Sequence, residues 1–163
     1  MNHIKSCLPK KKQVYVLELE SGKYYIGESI NPKNRIKSHF DGNGSLWTRL
    51  YPPIQVLKPF TKRQDELWEL SETIQRMGYH GIDNVRGSLF TKENLTSYDK
   101  VMAAQLYCEM NNLCRKCGSS EHFINQCVSL NKEPWVYQFG GILEFDKLNI
   151  QFSISTLFNP VRN

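Results

Sequence analysis

Residues 13–40 set the pattern that the rest of the chain is read against. Val14, Tyr15, Val16 and Leu17 form a β-branched and aromatic run, Ser21-Gly22 supplies a turn, and Tyr24-Tyr25-Ile26-Gly27 returns. Such a run, broken by a glycine turn and resumed, predicts a β-hairpin. Asn31-Pro32 then predicts a helix start, with Asn as N-cap and Pro at the first helical position, and Asp41-Gly42 predicts its end. Gly42-Asn43-Gly44-Ser45 reads as a loop whose glycines would let backbone N–H groups approach an anion, or as a plain connector. Ile54 to Phe60 is a third strand candidate.

A second helix is predicted over 62–77, closed by Gly78. Leu67, Leu70, Ile74 and Met77 recur at spacings of three and four and mark its buried stripe. Projected at about 100° per residue, Glu72 falls opposite that stripe, while Glu69 and Glu66 lie nearer the sheet. Tyr79 to Phe90 reads as an irregular connector containing Asn84, Arg86 and Gly87. A third helix follows over 95–111, with Ser97 as cap and Val101, Ala104 and Cys108 among its apolar positions. Trp135–Phe139, Gly140-Gly141 and Ile142–Phe145 predict a second hairpin. Ile150–Ser155 alternates like a strand, so the tail reads as β-rich.

Composition places this pattern in a folded protein: 163 residues, 40% hydrophobic and 12% aromatic, enough for one core and a small satellite. No apolar run is long enough for a bilayer, and the N-terminus lacks a signal-peptide stretch. A reducing, intracellular compartment is expected, with no membrane partner. Residues 1–60 carry 10 Lys and Arg against 4 Asp and Glu, whereas the remainder is nearly balanced, within a chain of formal charge +5. The excess lies over the first hairpin and helix. That favours a polyanionic partner, unless it is only a solvated surface behind the Lys10-Lys11-Lys12 arm.

The cysteines carry their own chemistry. Cys114, Cys117, His122 and Cys127 stand as C-x2-C-x4-H-x4-C. Three thiolates and an imidazole complete a closed tetrahedral shell, which is structural zinc chemistry rather than catalytic. The spacing resembles the retroviral-type zinc knuckle, with Gly118 where that family places a glycine. Arg115 stands in place of its usual aromatic and Glu121 in place of its second glycine. Phe123 is left as a stacking surface. A clip joining the third helix to the tail is the other reading of the same motif. Cys108 reads as a small core residue.

Gln13-Val14-Tyr15, then Tyr25-Ile26-Gly27, then Arg35 and His39 one helical turn apart, resemble the GIY-YIG nuclease family. Gln13 and Val14 replace the Gly and Ile of its first triplet, and the second triplet is intact. The likeness runs through His39-Phe40-Asp41-Gly42 and the Glu-bearing helix to Asn84-Val85-Arg86-Gly87, about residues 13–90. Its pairing with a knuckle is similar to proteins of large DNA viruses and some eukaryotes. The resemblance implies an α+β fold with a small three-stranded antiparallel sheet flanked by helices. It also implies hydrolysis of DNA phosphodiesters with one Mg²⁺ or Mn²⁺, besides the structural Zn²⁺. Position by position, Tyr15 would hold or deprotonate the attacking water with Tyr25 beside it, and His39 would take the proton. Arg35 would sit on the phosphate, Glu69 would bind the metal, and Asn84 would orient substrate or Glu69. Gly44, Ser45, Thr48 and Arg86 are the candidate nucleic-acid contacts. Glu28 stands where some members carry a basic residue.

The organisation expected is therefore an arm over 1–12, a nuclease-like domain over 13–90, a connecting helix over 91–112, a knuckle over 113–128 and a tail over 129–163. The nucleus, or a viral replication compartment in the cytoplasm, would hold such a protein. The rival readings are a nucleic-acid-binding module that does not cleave and a zinc-stabilised adaptor. Oligomeric state is not legible.

Overall fold

The computed structural model describes residues 11–62, 67–141, 143 and 152–158. Cys7, Glu66, Glu144, Phe145 and Ile150 lie outside them, as does most of the expected second half of the tail hairpin.

Strands β1 (Gln13–Leu19) and β2 (Lys23–Ser29) form the predicted hairpin, closed by a tight turn over Glu20–Gly22. Ser21 and Gly22 both adopt positive φ there. Helix α1 (Pro32–Phe40) follows with Pro32 in its first turn. Asn31 sits at the cap position, but its side chain makes no cap bond; its N–H instead donates to Ser29 Oγ at 3.0 Å. A short helix α2 (Leu46–Leu50), unforeseen in the sequence, precedes β3 (Pro53–Lys62). Helix α3 (Trp68–His80), a strand β4 (Val85–Gly87) and helix α4 (Ser97–Asn111) complete the main body.

The sheet has four strands in the order β3-β1-β2-β4, with β4 parallel to β2 and the other pairs antiparallel. Three strands were expected; β4 is only three residues long and sits inside the stretch read as a connector. β1 is central and covered on both faces, which explains its nearly unbroken apolar run. Val14 and Val16, with Ile26 of β2, face Leu70, Ile74 and Met77 of α3. Tyr15, Leu17 and Leu19 face the other way, toward Ile36 of α1 and Trp47 of α2.

Two helix ends differ from expectation for identifiable reasons. Gly78 does not stop α3; it lies inside the helix, where a Cβ would sit 2.6 Å from the Tyr107 ring of α4. The glycine that ends α3 is Gly81, at φ 87°. In α4 the cap is Thr96 rather than Ser97: Asp99 N–H donates to Thr96 Oγ1 and Thr96 N–H to Asp99 Oδ2, a reciprocal capping box. Glu72, expected to face solvent, pairs with Arg76 at 3.1 Å and is only 16% exposed.

The tail departs most. Pro134–Phe139 is a 3₁₀ helix, not a strand, and Gly140 ends it at φ 93°. Val136 and Phe139, three apart, point into the α3–α4 core while Tyr137 faces out, so the inward period is three rather than two. Ile154–Phe158 forms a short helix α5. Val101, Ala104 and Cys108 are buried as expected, in the same cluster as Val14, Ile26 and Ile74.

Candidate active site

The hairpin register places Tyr15 directly opposite Gly27. A Cβ on Gly27 would collide with the Tyr15 ring and hydroxyl. The glycine of the intact second triplet is therefore the floor on which the first triplet's tyrosine lies. Tyr15 Oη is 2.9 Å from His39 Nε2, and both groups are buried. His39 Nδ1 in turn is 2.8 Å from Thr48 Oγ1. Thr48 Oγ1 donates its own proton to the Ser45 carbonyl at 3.1 Å. The hydroxyl is thus left to accept from Nδ1–H, so Nε2 carries the lone pair and receives the Tyr15 O–H. A Cβ at Gly44 would collide with His39 Nδ1, so the loop glycine is what lets the imidazole reach Thr48.

Burial and the neighbouring Arg35 charge hold His39 down at about 4, so the ring is neutral at pH 7. Burial first, and then the Tyr25 charge, raises the Tyr15 phenol, while Arg35 opposes the rise. Tyr25 is raised likewise by burial and by Glu69, against Ser45 and Arg35. The rings of Tyr25 and His39 are 4.9 Å apart and those of Tyr15 and Tyr25 are 6.5 Å apart. Tyr25 is half-buried while Tyr15 is buried, so Tyr25 presents the more open phenol. Arg35 is exposed on α1, one turn before His39.

Glu69 enters from α3, on the opposite face of the sheet. Its Oε1 accepts the Ser88 N–H at 3.2 Å, just beyond the end of β4. β4 pairs β2 only as far as Ile26, and no other described strand pairs that edge at Gly27 and Glu28. The Glu69 charge acts on both tyrosines, raising them. Burial and then the charge of Glu28 raise Glu69 to about 7. Lys12 Nζ lies 3.5 Å from Glu28 Oε1.

Tyr15, Tyr25, Arg35, His39 and Glu69 are accordingly brought together, and Asn84 is not. Asn84 Nδ2 donates to the His80 carbonyl at 2.7 Å and its Oδ1 accepts from Lys23 Nζ at 2.9 Å. It ties down the C-terminal end of α3, whereas Glu69 is in the first turn, about 15 Å away along the axis at 1.5 Å per residue. Arg86, expected on nucleic acid, is 2% exposed. Its guanidinium donates to the carbonyls of Ile82, Val85, Lys92 and Glu93 and stacks on Trp47 at 4.3 Å. Thr48, also expected to touch nucleic acid, is buried and spent on His39. Ser45 caps α2 through Thr48 N–H. Gly44 and Ser45 remain partly open, beside His39 and Tyr25 respectively. Thr48 as the partner of the histidine was missed; Ser45-x-x-Thr48 signals a helix start and nothing more.

The second cluster is the Cys/His set. Ligand atoms of Cys114, Cys117, His122 and Cys127 lie within 4.8 Å of one another. That is a spread a tetrahedral shell with metal–sulfur bonds of about 2.3 Å can draw in. Lys116 N–H points at Cys114 Sγ (3.4 Å), and Gly118 takes φ 84° under the Trp135 ring. Trp135 Nε1 donates to the Gly118 carbonyl and Glu133 N–H to that of Cys117, binding the cluster to the tail. Arg115 donates to Phe152 O at 2.6 Å, so the residue standing for the knuckle's aromatic is a brace. Phe123 is exposed.

Residues 11–82 match the model described as the GIY-YIG catalytic domain. That span contains Tyr15, Tyr25, Arg35, His39 and Glu69 and ends before Arg86 and the Cys/His set. Among curated proteins, a UPF0213 protein of Xanthomonas campestris pv. campestris (strain 8004) is 39% identical over 49 residues, covering 30% of this chain and 48% of the relative. A UPF0213 protein of Streptococcus pneumoniae (strain ATCC BAA-255 / R6) is 36% identical over 47 residues, covering 29% and 48%. One of Neisseria meningitidis serogroup B is 35% identical over 43 residues, covering 26% and 47%. The chain spans about half the length of the curated relatives it matches. No solved structure matches it significantly. Among the described residues no helix is long and apolar enough to cross a membrane.

Proposed function

We propose that this protein is an endonuclease that hydrolyses DNA phosphodiester bonds with a divalent cation, and that the Cys/His set holds a structural zinc ion. The observation that carries this reading is the hydrogen-bonded line Tyr15–His39–Thr48, ending beneath Arg35 and within electrostatic reach of Glu69. A packing role alone would not require a buried imidazole held in one tautomer with its lone pair on a phenol. Water bound at the tyrosine hydroxyls gives its proton to Tyr15 as Tyr15 passes its own to His39 Nε2. The phenol is restored and the imidazole becomes the proton store. Tyr25, the more open phenol, orients that water. Arg35 offers two parallel N–H donors to the phosphate oxygens, where charge builds up in the transition state. Glu69 is the carboxylate for Mg²⁺ or Mn²⁺, which when bound supplies Lewis-acid stabilisation of the leaving oxygen. Cys114, Cys117, His122 and Cys127 fit zinc by donor type and spacing. The exposed Phe123 offers a base-stacking surface beside them.

The test is nicking of supercoiled plasmid with Mg²⁺ or Mn²⁺ by the wild type, Arg35→Ala and Glu69→Gln. Cleavage that both variants lose by 100-fold or more supports the reading. A wild type that retards DNA in a gel and never cuts it leaves a binding module instead.

A further inference from the structure

The reaction proposed above uses one end of the contact between β1 and α1, and the other end has no part in it. The two elements run side by side in the same sense. Tyr15 meets His39, and two residues earlier Gln13 meets the stretch from Asn31 to Asn34. Gln13 and Tyr15 alternate with Val14, which faces α3, so both project to the α1 side of the sheet about 7 Å apart. Where Gln13 meets α1 there is a cavity of about 320 Å³, lined by Gln13, Asn31, Pro32, Lys33 and Asn34. Pro32 is buried, whereas Asn31, Lys33 and Asn34 are exposed, so the cavity opens to solvent.

The lining carries one ammonium, three side-chain amides and no acid. That set suits an anion with several acceptor oxygens and does not suit a metal ion. Among the described residues Lys33 has no carboxylate within ion-pair distance. The Asn31 side chain makes no cap bond. Lys37, the other lysine of α1, is 2.7 Å from Asp41. The helix therefore keeps an uncompensated cation at its Lys33 end and a neutralised one at its Asp41 end. Arg35 stands between them, and its N–H donates to the Asn31 carbonyl one turn back.

We propose that this cavity seats the phosphate next to the scissile one on the cut strand. Lys33 supplies the charge, and the amides of Gln13 and Asn34 fix the oxygens. The inference rests on the endonuclease reading, in which Arg35 holds the reacting phosphate. An extended strand leaving Arg35 is drawn toward Lys33 and away from Asp41, so the seat also sets the direction of the strand across the site. Contacts of this kind position a nucleic acid without reading its sequence. A glycine at position 13, as in the triplet that Gln13-Val14-Tyr15 resembles, would have no side chain to offer there.

The experiment measures DNA affinity against salt, and nicking, for the full zinc-loaded wild type, Lys33→Ala, Gln13→Ala and Lys37→Ala, with melting temperatures alongside. Lys33→Ala is expected to weaken binding about fivefold or more at 0.1 M salt and to lower the slope of log affinity against log salt by about 1. Gln13→Ala is expected to weaken binding about threefold with the slope kept, since it removes hydrogen bonds and no charge. Lys37→Ala is expected to bind and cut like the wild type. The cut is then mapped, and a neutral methylphosphonate is placed one step to either side of it. On one side it is expected to weaken wild-type binding as Lys33→Ala does, and to weaken Lys33→Ala no further. A wild type that cuts, with Lys33→Ala keeping its affinity and salt slope, overturns the seat and leaves the endonuclease reading standing. So does a methylphosphonate effect that persists undiminished in Lys33→Ala, which makes the lysine's contribution one of general charge. A wild type that never cuts overturns the endonuclease reading and the seat with it.

Discussion

Tyr15 Oη and His39 Nε2 are 2.9 Å apart, both side chains buried, and the direction of the proton between them is fixed by a third residue. Thr48 accepts from Nδ1 because its own hydroxyl proton is given to the Ser45 carbonyl. Replacing Thr48 by Val removes that acceptor while keeping the shape. The imidazole is then free to take the other tautomer, with N–H facing the phenol, which cannot receive a proton. Thr48→Val is expected to lower the nicking rate about tenfold or more with little change in DNA affinity, and His39→Ala by about 100-fold. Single-turnover rates with saturating enzyme separate the two quantities.

His39 also links stability to pH. Its folded value of about 4 lies below the ordinary imidazole value of 6.5, so the unfolded chain binds the proton more readily between those limits. The neutral imidazole's contribution is fully present above about 6.5 and is lost as pH falls toward 4, reaching at most about 3 kcal/mol. Glu69 runs the other way: raised to about 7, its contribution is present below the ordinary carboxyl value of 4.5 and is lost as pH rises through 7. Urea unfolding of the wild type and His39→Asn between pH 4 and 7 is expected to show the wild type losing more stability on acidification. Parallel curves would contradict the assignment.

Arg86 and Asn84 are expected to be matters of stability. Arg86→Ala strips four carbonyls of their donor and Trp47 of its stacking partner. Removing such a buried charged donor costs about 3 kcal/mol or more. Asn84→Ala costs about 1 kcal/mol, the size of one cap and one part-buried bond. Denaturant midpoints check both. Folded Asn84→Ala protein is expected to cut at the wild-type rate.

The Cys/His set predicts one tightly held zinc per chain, measurable by elemental analysis. Its removal by chelator, or Cys117→Ser, is expected to release the Trp135 N–H from Gly118, shifting tryptophan emission to the red and lowering the melting temperature.

What could be read from the sequence was what is local or periodic. The first hairpin is set by a turn between contiguous runs, α1 by Pro32, the buried face of α3 by its spacing, and the ligand set by C-x2-C-x4-H-x4-C. What could not be read depends on which groups meet across the fold. Arg86 looks like a phosphate contact in sequence because its carbonyl partners, Ile82, Val85, Lys92 and Glu93, belong to loops with no pattern of their own. Thr48 acquires its role only because α2, five residues long, swings it under His39. Trp135–Phe139 has strand-forming residues, yet the α3–α4 surface selects every third one and winds the segment into a 3₁₀ helix, packing prevailing over intrinsic preference.

The buried cluster that joins Val14 and Ile26 to Leu106, Val136 and Phe139 has a practical corollary. A clone ending near Phe90 would strip α3 of its α4 neighbour, baring the side that Tyr107 covers at Gly78 and Asn111 at Gln75. Trimming the gene at that point would yield aggregates rather than a smaller folded unit, so the appendage is a subunit of folding as much as an accessory.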